Sequence, residues 1–137
     1  MKDVIDKATR AAIRHYGDGA AARFYTELRE RRFMSTRCPA CDAIAFPPRS
    51  FCPKCYGTAV EWVDLPRRGT VYAFTQQERS LRFSRPDVIG LVELPSVGRI
   101  LTRLDAPFEA LRIGLTVELD FFEVNAELVL HQFRPVG

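Results

Sequence analysis

The first 33 residues place their apolar side chains at helical spacing. One face of a predicted helix over residues 1–16 is shared by Val4, Ile5, Ala8, Ala11, Ala12, His15 and Tyr16. Gly17 and Gly19 break this pattern, and Asp18 between them is suited to cap a second helix. The apolar face of that second helix is made by Ala21, Phe24, Tyr25 and Leu28, and its cationic last turn by Arg29, Arg31 and Arg32. The sequence therefore predicts N-terminal helices over residues 1–33.

Neither a helical nor a strand period continues between Met34 and Gly57. This stretch contains paired cysteines, prolines and short turns, and its pattern offers no apolar face that could bury a core. We therefore expect a bound metal to hold it folded, as a small unit over residues 34–60.

From residue 61 onward the pattern becomes the alternation of half-buried strands. It is clearest where Val117, Leu119 and Phe121 alternate with Glu118, Asp120 and Phe122. Six strands are predicted, over Val60–Leu65, Gly69–Gln77, Val88–Leu94, Arg99–Leu104, Thr116–Val124 and Glu127–Phe133. A helical turn is predicted over Pro107–Ile113, where a five-stranded Greek-key barrel often carries a connection. The chain is thus predicted to be mainly β with N-terminal helices, and residues 61–137 to form a barrel or sandwich.

Composition indicates an ordinary globular protein. Of the 137 residues, 47% are apolar and 27% charged, which is typical of a folded domain. No apolar run is long enough to cross a bilayer, and the N-terminus lacks a signal-peptide core. We expect a cytoplasmic protein with no membrane partner.

The four cysteines follow the spacing C-x2-C-x10-C-x2-C, as Cys38, Cys41, Cys52 and Cys55. Each C-x2-C turn directs two thiolates at one ion, and two such turns complete a tetrahedron. Clustered cysteines in a reducing compartment favour metal binding over disulfides. Since four thiolates leave no open position for water, the predicted zinc is structural and not catalytic.

Two alternatives to zinc use the same residues. Iron in a rubredoxin-like site has the same four ligands, and a C-x-x-C pair can serve as a redox dithiol. Ligand type favours zinc, and nothing nearby suggests a flavin or a redox partner site. A redox C-x-x-C is normally single and begins a helix, whereas this chain has two in turns.

No catalytic residue is predicted. The chain has no nucleophile elbow, phosphate-binding loop or dinucleotide fingerprint. His15 and His131 are lone histidines, a pattern typical of ordinary core or surface positions. With all thiols assigned to metal, no nucleophile for acyl transfer remains, so we expect catalysis to belong to another polypeptide.

Two arginine-bearing loops suggest a binding surface for an anionic ligand. Of the 20 basic residues, 17 are arginines, although the net charge is only +3. The candidate residues are Arg67, Arg68, Arg79, Arg82, Phe83 and Arg85. Guanidinium groups pair with phosphates, and an aromatic ring or an arginine plane can stack on adenine, so the group suits a nucleotide. The alternative is a solvated, arginine-rich loop.

The order of these features resembles the DUF35 family, in which a rubredoxin-like zinc ribbon precedes an OB-fold. The resemblance covers residues 22–124, through the segments FYTELRERRF, RCPACDAIAFPPRSFCPKC, EWVDLPRRGTVYAFT, VIGLVELPSVGRILTRL and RIGLTVELDFF. Its specific features are Phe46-Pro47-Pro48-Arg49 between the cysteine pairs, Trp62 after them, and Gly69-Thr70-Val71-Tyr72 at the start of the barrel. The glycine usual before the ribbon is replaced by Glu30-Arg31-Arg32, so the helix is expected to run on.

The resemblance implies an accessory subunit of acyl-CoA metabolism. Such subunits assemble with a thiolase, a hydroxymethylglutaryl-CoA synthase or a MaoC-type hydratase; the OB-fold helps to hold acyl-CoA, and the partner supplies the catalytic residues. This sequence looks nearer to the thiolase-associated kind, with a MaoC-type enoyl-CoA hydratase complex as the alternative. A nucleic-acid-binding OB-fold is a further alternative, although the small net charge argues against it. A stand-alone acyl-CoA enzyme would need a base and a nucleophile that the sequence does not offer.

Overall fold

A computed structural model describes residues 19–78 and 87–136. The first predicted helix, with His15, and four of the predicted ligand residues, Arg79, Arg82, Phe83 and Arg85, lie outside these residues. Within the described ranges, no helix is long and apolar enough to cross a membrane.

The described chain consists of one α-helix, a three-stranded sheet and a closed five-stranded barrel. Helix α1 is Ala20–Arg29, and the strands are β1 (Met34–Arg37), β2 (Ile44–Ala45), β3 (Glu61–Asp64), β4 (Arg68–Gln77), β5 (Asp87–Leu94), β6 (Gly98–Leu104), β7 (Thr116–Glu123) and β8 (Val129–Pro135). A short 3-10 helix, Phe108–Ala110, precedes β7.

The barrel has the strand order of an OB-fold. Its five strands close in the order β4-β5-β6-β8-β7. The pair β6 and β8 is parallel, and the other pairs are antiparallel. This arrangement confirms the predicted fold class: mainly β, with an N-terminal helix, a ribbon and an OB-fold barrel. The 3-10 turn lies within the predicted Pro107–Ile113 connection.

The strand predicted over Val60–Leu65 does form, but it belongs to the ribbon. As β3 it pairs with β1, and β1 pairs with β2 on its other side. Strands β1 and β2 were not predicted, because the two buried residues of β1, Ser35 and Thr36, are polar. The Ser35 hydroxyl donates to the Ala45 carbonyl, and the Thr36 hydroxyl accepts from the Arg49 N–H at 3.0 Å. Buried polar groups satisfied in this way leave no hydrophobic period in the sequence.

Helix α1 is shorter at both ends than the sequence predicted. Its N-cap position falls on Gly19, one residue after the predicted cap Asp18. At its C-terminus the helix ends at Arg29 and does not run on, because Arg31 adopts a left-handed φ of 61°. The N–H groups of Arg31 and Arg32 then bond to the carbonyls of Leu28 and Glu27, at 3.0 and 2.9 Å, which completes a Schellman motif. An arginine thus occupies the position usual for glycine.

Tertiary contacts hold Arg31 in this conformation. Its guanidinium pairs with Glu123 of β7 at 3.2 Å and lies 5.5 Å from the centroid of the Phe121 ring. Its carbonyl accepts a hydrogen bond from the Arg67 guanidinium at 2.8 Å. The end of the helix is therefore fixed against the barrel.

One cluster of rings joins the helix, the ribbon and the barrel. We call it the aromatic junction, and it consists of Phe24 on α1, Phe33 before β1, Phe46 after β2, and His131 and Phe133 on β8. Phe33 and Phe133 are fully buried, and the ring centroids of neighbours lie 5.6 to 6.5 Å apart. Nδ1 of His131 is 2.7 Å from the Thr102 hydroxyl, so this half-buried histidine is held by a hydrogen bond at the edge of the core. The three parts share one core.

We predict that Phe33→Ala destabilises the whole chain, because the ring contacts both the ribbon and the barrel sides of the junction. The expected loss in the free energy of unfolding is about 3–5 kcal/mol. The control Phe51→Ala removes a ring that is 37% exposed and is expected to change that free energy by less than about 0.5 kcal/mol. Urea unfolding, followed by Trp62 fluorescence and far-UV circular dichroism, measures both. Equal effects of the two variants would contradict a shared core.

Candidate functional site

The four cysteines lie in two turns of the same backbone form. In the first turn the N–H of Asp42 donates to the Cys38 carbonyl at 2.8 Å, and in the second the N–H of Tyr56 donates to the Cys52 carbonyl at 2.8 Å. Asp42 and Tyr56 both adopt a left-handed conformation, with φ of 67° and 62°. Each turn directs its two thiols to the same side, as a metal-binding knuckle requires.

The two turns bring all four thiols together. The four Sγ atoms lie within 4.8 Å of one another, with Cys38 and Cys55 at 3.6 Å and Cys41 and Cys52 at 3.3 Å. A zinc ion bound to sulfur at about 2.3 Å places its ligands about 3.8 Å apart. The residues therefore fit a tetrahedral ion, and no other cluster of metal-ligating side chains occurs in the part of the chain that the structure describes.

Backbone N–H groups favour the thiolate form at the first cysteine of each turn. The N–H groups of Cys55 and Lys54 point at Cys52 Sγ, at 3.5 and 3.4 Å, and lower the pKa of Cys52 to about 6. The N–H of Cys41 likewise lowers the pKa of Cys38. Thiolate is the form that binds metal, so each turn has one sulfur prepared for the ion.

The second cysteine of each turn keeps its proton until metal binds. Although the Ala43 N–H acts to lower the pKa of Cys41, the hydrogen bond from its thiol to the Cys52 sulfur helps to raise that pKa to about 12. The pKa of Cys55 is also raised, despite the Gly57 N–H, through its contact with Cys38. A bound metal must displace these protons.

All four ligand positions are sulfur, which decides what the ion can do. Zinc bound to Cys38, Cys41, Cys52 and Cys55 supplies a cross-link between the two turns. A closed set of four thiolates offers no position to a substrate oxygen or to water. The centre is therefore structural.

An arginine ties the first cysteine turn to the sheet. The Arg37 guanidinium forms ion pairs with both Asp42 and Glu61, and these two carboxylates raise the pKa of Arg37. Asp42 lies in the turn and Glu61 on β3, so the ion pairs support the position of the turn from outside.

Two of the predicted ligand residues, Arg67 and Arg68, lie together at the start of β4. The Arg67 guanidinium donates to the Arg31 carbonyl and lies 5.8 Å from the centroid of the Phe121 ring. Arg68 is exposed and pairs with Glu118 at 3.7 Å. The segment that contains the other four residues follows the C-terminal end of β4 in the chain and lies outside the described residues. The six-residue ligand surface stays a prediction.

The outer face of the barrel carries an apolar patch that the sequence did not indicate. Leu101 on β6 is 58% exposed and lies opposite Leu91 on β5. Nearby, Tyr72 is 43% exposed, and the Arg99 guanidinium lies 3.6 Å from the centroid of its ring. OB-folds often bind ligands on this face, but stacking of nucleobases needs open aromatic rings. A ring covered by arginine does not favour nucleic acid.

Comparison with known proteins identifies the two parts of the chain. Residues 26–61 match the profile of the "ChsH2, rubredoxin-like zinc ribbon domain", and residues 62–122 match that of the "ChsH2, C-terminal OB-fold domain". A solved structure described as "Ltp2-ChsH2(DUF35) aldolase" superposes with a TM-score of 0.76 at 31% sequence identity, and the match covers 86% of this chain and 95% of that one. The chain belongs to the DUF35 family.

Two curated relatives of this DUF35 chain are described as enzyme subunits. The benzoylsuccinyl-CoA thiolase subunit BbsA of Thauera aromatica is 31% identical over 106 residues, which are 73% of this chain and 74% of that subunit. The probable enoyl-CoA hydratase alpha subunit of Thermomonospora curvata is 34% identical over 116 residues, which are 82% of this chain. This DUF35 chain spans only 36% of the length of the hydratase relative.

We predict that Cys52→Ala abolishes stoichiometric zinc binding and unfolds the ribbon, because three thiolates no longer close the site. The matched control is Lys54→Ala, which alters the same turn without removing a ligand. Zinc per chain, measured by elemental mass spectrometry, is expected to fall from one to near zero in Cys52→Ala and to stay at one in Lys54→Ala. Full zinc occupancy in Cys52→Ala would show that Cys52 is not a ligand.

Proposed function

We propose that this DUF35 chain is an accessory subunit of a thiolase-type acyl-CoA complex, in which another polypeptide carries the catalytic residues. The likeness to a thiolase subunit of similar length supports this, since the match to BbsA covers about three quarters of each chain. The chain's own contribution is to bind or position acyl-CoA and to hold the partner.

The single observation that carries the proposal is the use of every cysteine in one closed cluster. Thiolase-type acyl transfer needs a nucleophile, which a metal-bound thiolate in a closed site does not provide. Among the described residues, His131 is half-buried as part of the aromatic junction and hydrogen-bonded to Thr102. A base and a nucleophile are therefore expected on the partner.

The proposed CoA surface is formed by the arginine-bearing loops of the barrel: Arg67, Arg68, Arg79, Arg82, Phe83 and Arg85. Arg68 supports this role, because its pair with Glu118 is exposed and such pairs are weak enough to yield to a phosphate. The Arg67 guanidinium is hydrogen-bonded to the Arg31 carbonyl and lies over the Phe121 ring. Its contribution is therefore to shape the surface and not to bind the phosphate.

A subunit of a MaoC-type enoyl-CoA hydratase complex is the second candidate. The observation that favours it is the 34% identity to a probable enoyl-CoA hydratase alpha subunit. Both candidates place a catalytic partner beside this chain. Four cysteines clustered for metal and not joined in disulfides support a reducing compartment, and hence the cytoplasmic location expected from the sequence.

Co-expression tests the assembly directly. We predict that the chain forms a hetero-oligomer when it is co-expressed with a thiolase from its own organism, measured by size-exclusion chromatography with light scattering. A complex with a MaoC-type hydratase instead would support the second candidate. A chain that stays alone with both partners would contradict the proposal.

The same preparation separates ligand binding from assembly. In Arg82→Ala, assembly is expected to remain intact while the affinity for CoA, measured by calorimetry, falls about tenfold, as for the loss of one charge-assisted hydrogen bond. The control Arg112→Ala removes an exposed arginine from the connection before β7 and should leave both unchanged. Equal CoA affinity in the wild type and Arg82→Ala would remove Arg82 from the surface.

A further inference from the structure

A cavity of about 200 Å³ lies between α1 and the ribbon. We call it the ribbon cavity, and the side chains that matter are Arg23 on α1, Thr36 on β1, Arg49 in the connection between the cysteine turns, and Val60 and Trp62 at β3. It is separate from the zinc ligands and from the six predicted CoA residues. Arg49 and Trp62 belong to the sequence features singled out above, yet metal binding uses neither side chain.

Backbone pairing fixes the walls of the ribbon cavity. Strand register places Trp62 directly opposite Thr36, which is only 2% exposed. The Thr36 hydroxyl accepts the Arg49 N–H at 3.0 Å, so the backbone of Arg49 is anchored to the same point. Trp62 and the backbone of Arg49 are thus positioned before any ligand arrives, which lowers part of the entropic cost of binding.

Arg23 and Arg49 line the cavity with side chains exposed to solvent, and the charge of Arg23 also acts on Glu27. The Arg23 guanidinium lies 4.6 Å from the centroid of the Trp62 ring, which leaves the N–H groups on the edge of the guanidinium available. Glu27, one turn along the helix, is bound to Arg32 at 2.7 Å. Within residues 19–78 and 87–136, neither Arg23 nor Arg49 forms an ion pair.

We propose that the ribbon cavity binds a phosphoryl group. Two guanidinium groups carry two positive charges and fork-shaped donors, which suit the two negative charges and three oxygens of a phosphomonoester. A single carboxylate would neutralise only one of the two positive charges. Val60 and Trp62 give the remaining wall an apolar character, against which the carbon part of the ligand can lie.

The size of the cavity limits how much of a ligand it accepts. Sites that enclose a whole small molecule measure about 300–1,000 Å³. At about 200 Å³ the ribbon cavity holds a phosphoryl group and its nearest atoms, while the rest of the ligand lies outside. The source is either free inorganic phosphate or the phosphomonoester of a nucleotide cofactor, such as the 3′-phosphate of CoA.

Calorimetry on the zinc-loaded chain alone tests this site, with inorganic phosphate and 3′,5′-ADP as probes at low salt. Arg49→Gln and Arg23→Gln are each expected to weaken binding at least about tenfold, since each removes charge-assisted hydrogen bonds. Arg49→Lys keeps the charge but loses the fork, so an intermediate loss is expected. The matched control Arg29→Gln removes an exposed arginine from the same helix outside the cavity and should bind as the wild type.

Each result supports or overturns the site. Tighter binding of 3′,5′-ADP than of phosphate identifies a cofactor phosphomonoester, and equal binding identifies free phosphate; both support it. No binding of either probe to the wild type overturns it, as does an equal loss in Arg29→Gln. If Arg49→Gln abolishes the partner complex while phosphate does not bind, the cavity holds a partner carboxylate and the proposal is wrong. Because assembly is measured separately, failure here leaves the accessory-subunit proposal intact.

Discussion

The segment between Met34 and Gly57 cannot bury a core of its own, and this limit shapes the rest of the molecule. Strands of two and four residues provide too little apolar contact to offset the entropy of ordering the chain. Two external supports hold it instead. Metal coordination joins the two cysteine turns at one end, and the aromatic junction joins Phe33 and Phe46 to the barrel at the other.

The sequence predicted the elements that depend on short-range spacing along the chain. The alternation of Val117, Leu119 and Phe121 gave β7, and the cysteine spacing gave the metal cluster, because both depend on short-range periodicity. Short-range spacing does not show which strands pair with each other. For this reason β3 was assigned to the barrel, although it pairs with β1 and completes the ribbon sheet. The same is true of the ribbon cavity, which arises from the register between β1 and β3.

The end of α1 illustrates a tertiary effect that overrides local preference. Without a glycine, the sequence predicted that the helix would continue through Arg31. The structure reverses the chain there, because Glu123, Phe121 and the Arg67 guanidinium all contact Arg31. Arg67, predicted as a ligand residue from its charge, is thus part of the connection between helix and barrel. Charge alone did not distinguish a binding arginine from a structural one.

The central claim is that the four cysteines close around one zinc ion, so that the metal centre is structural. X-ray absorption at the zinc edge of the purified chain tests this most directly. Four sulfur ligands at about 2.3 Å and no oxygen or nitrogen ligand are expected. Three or fewer sulfurs with a bound oxygen would show an open position at the metal and contradict the claim.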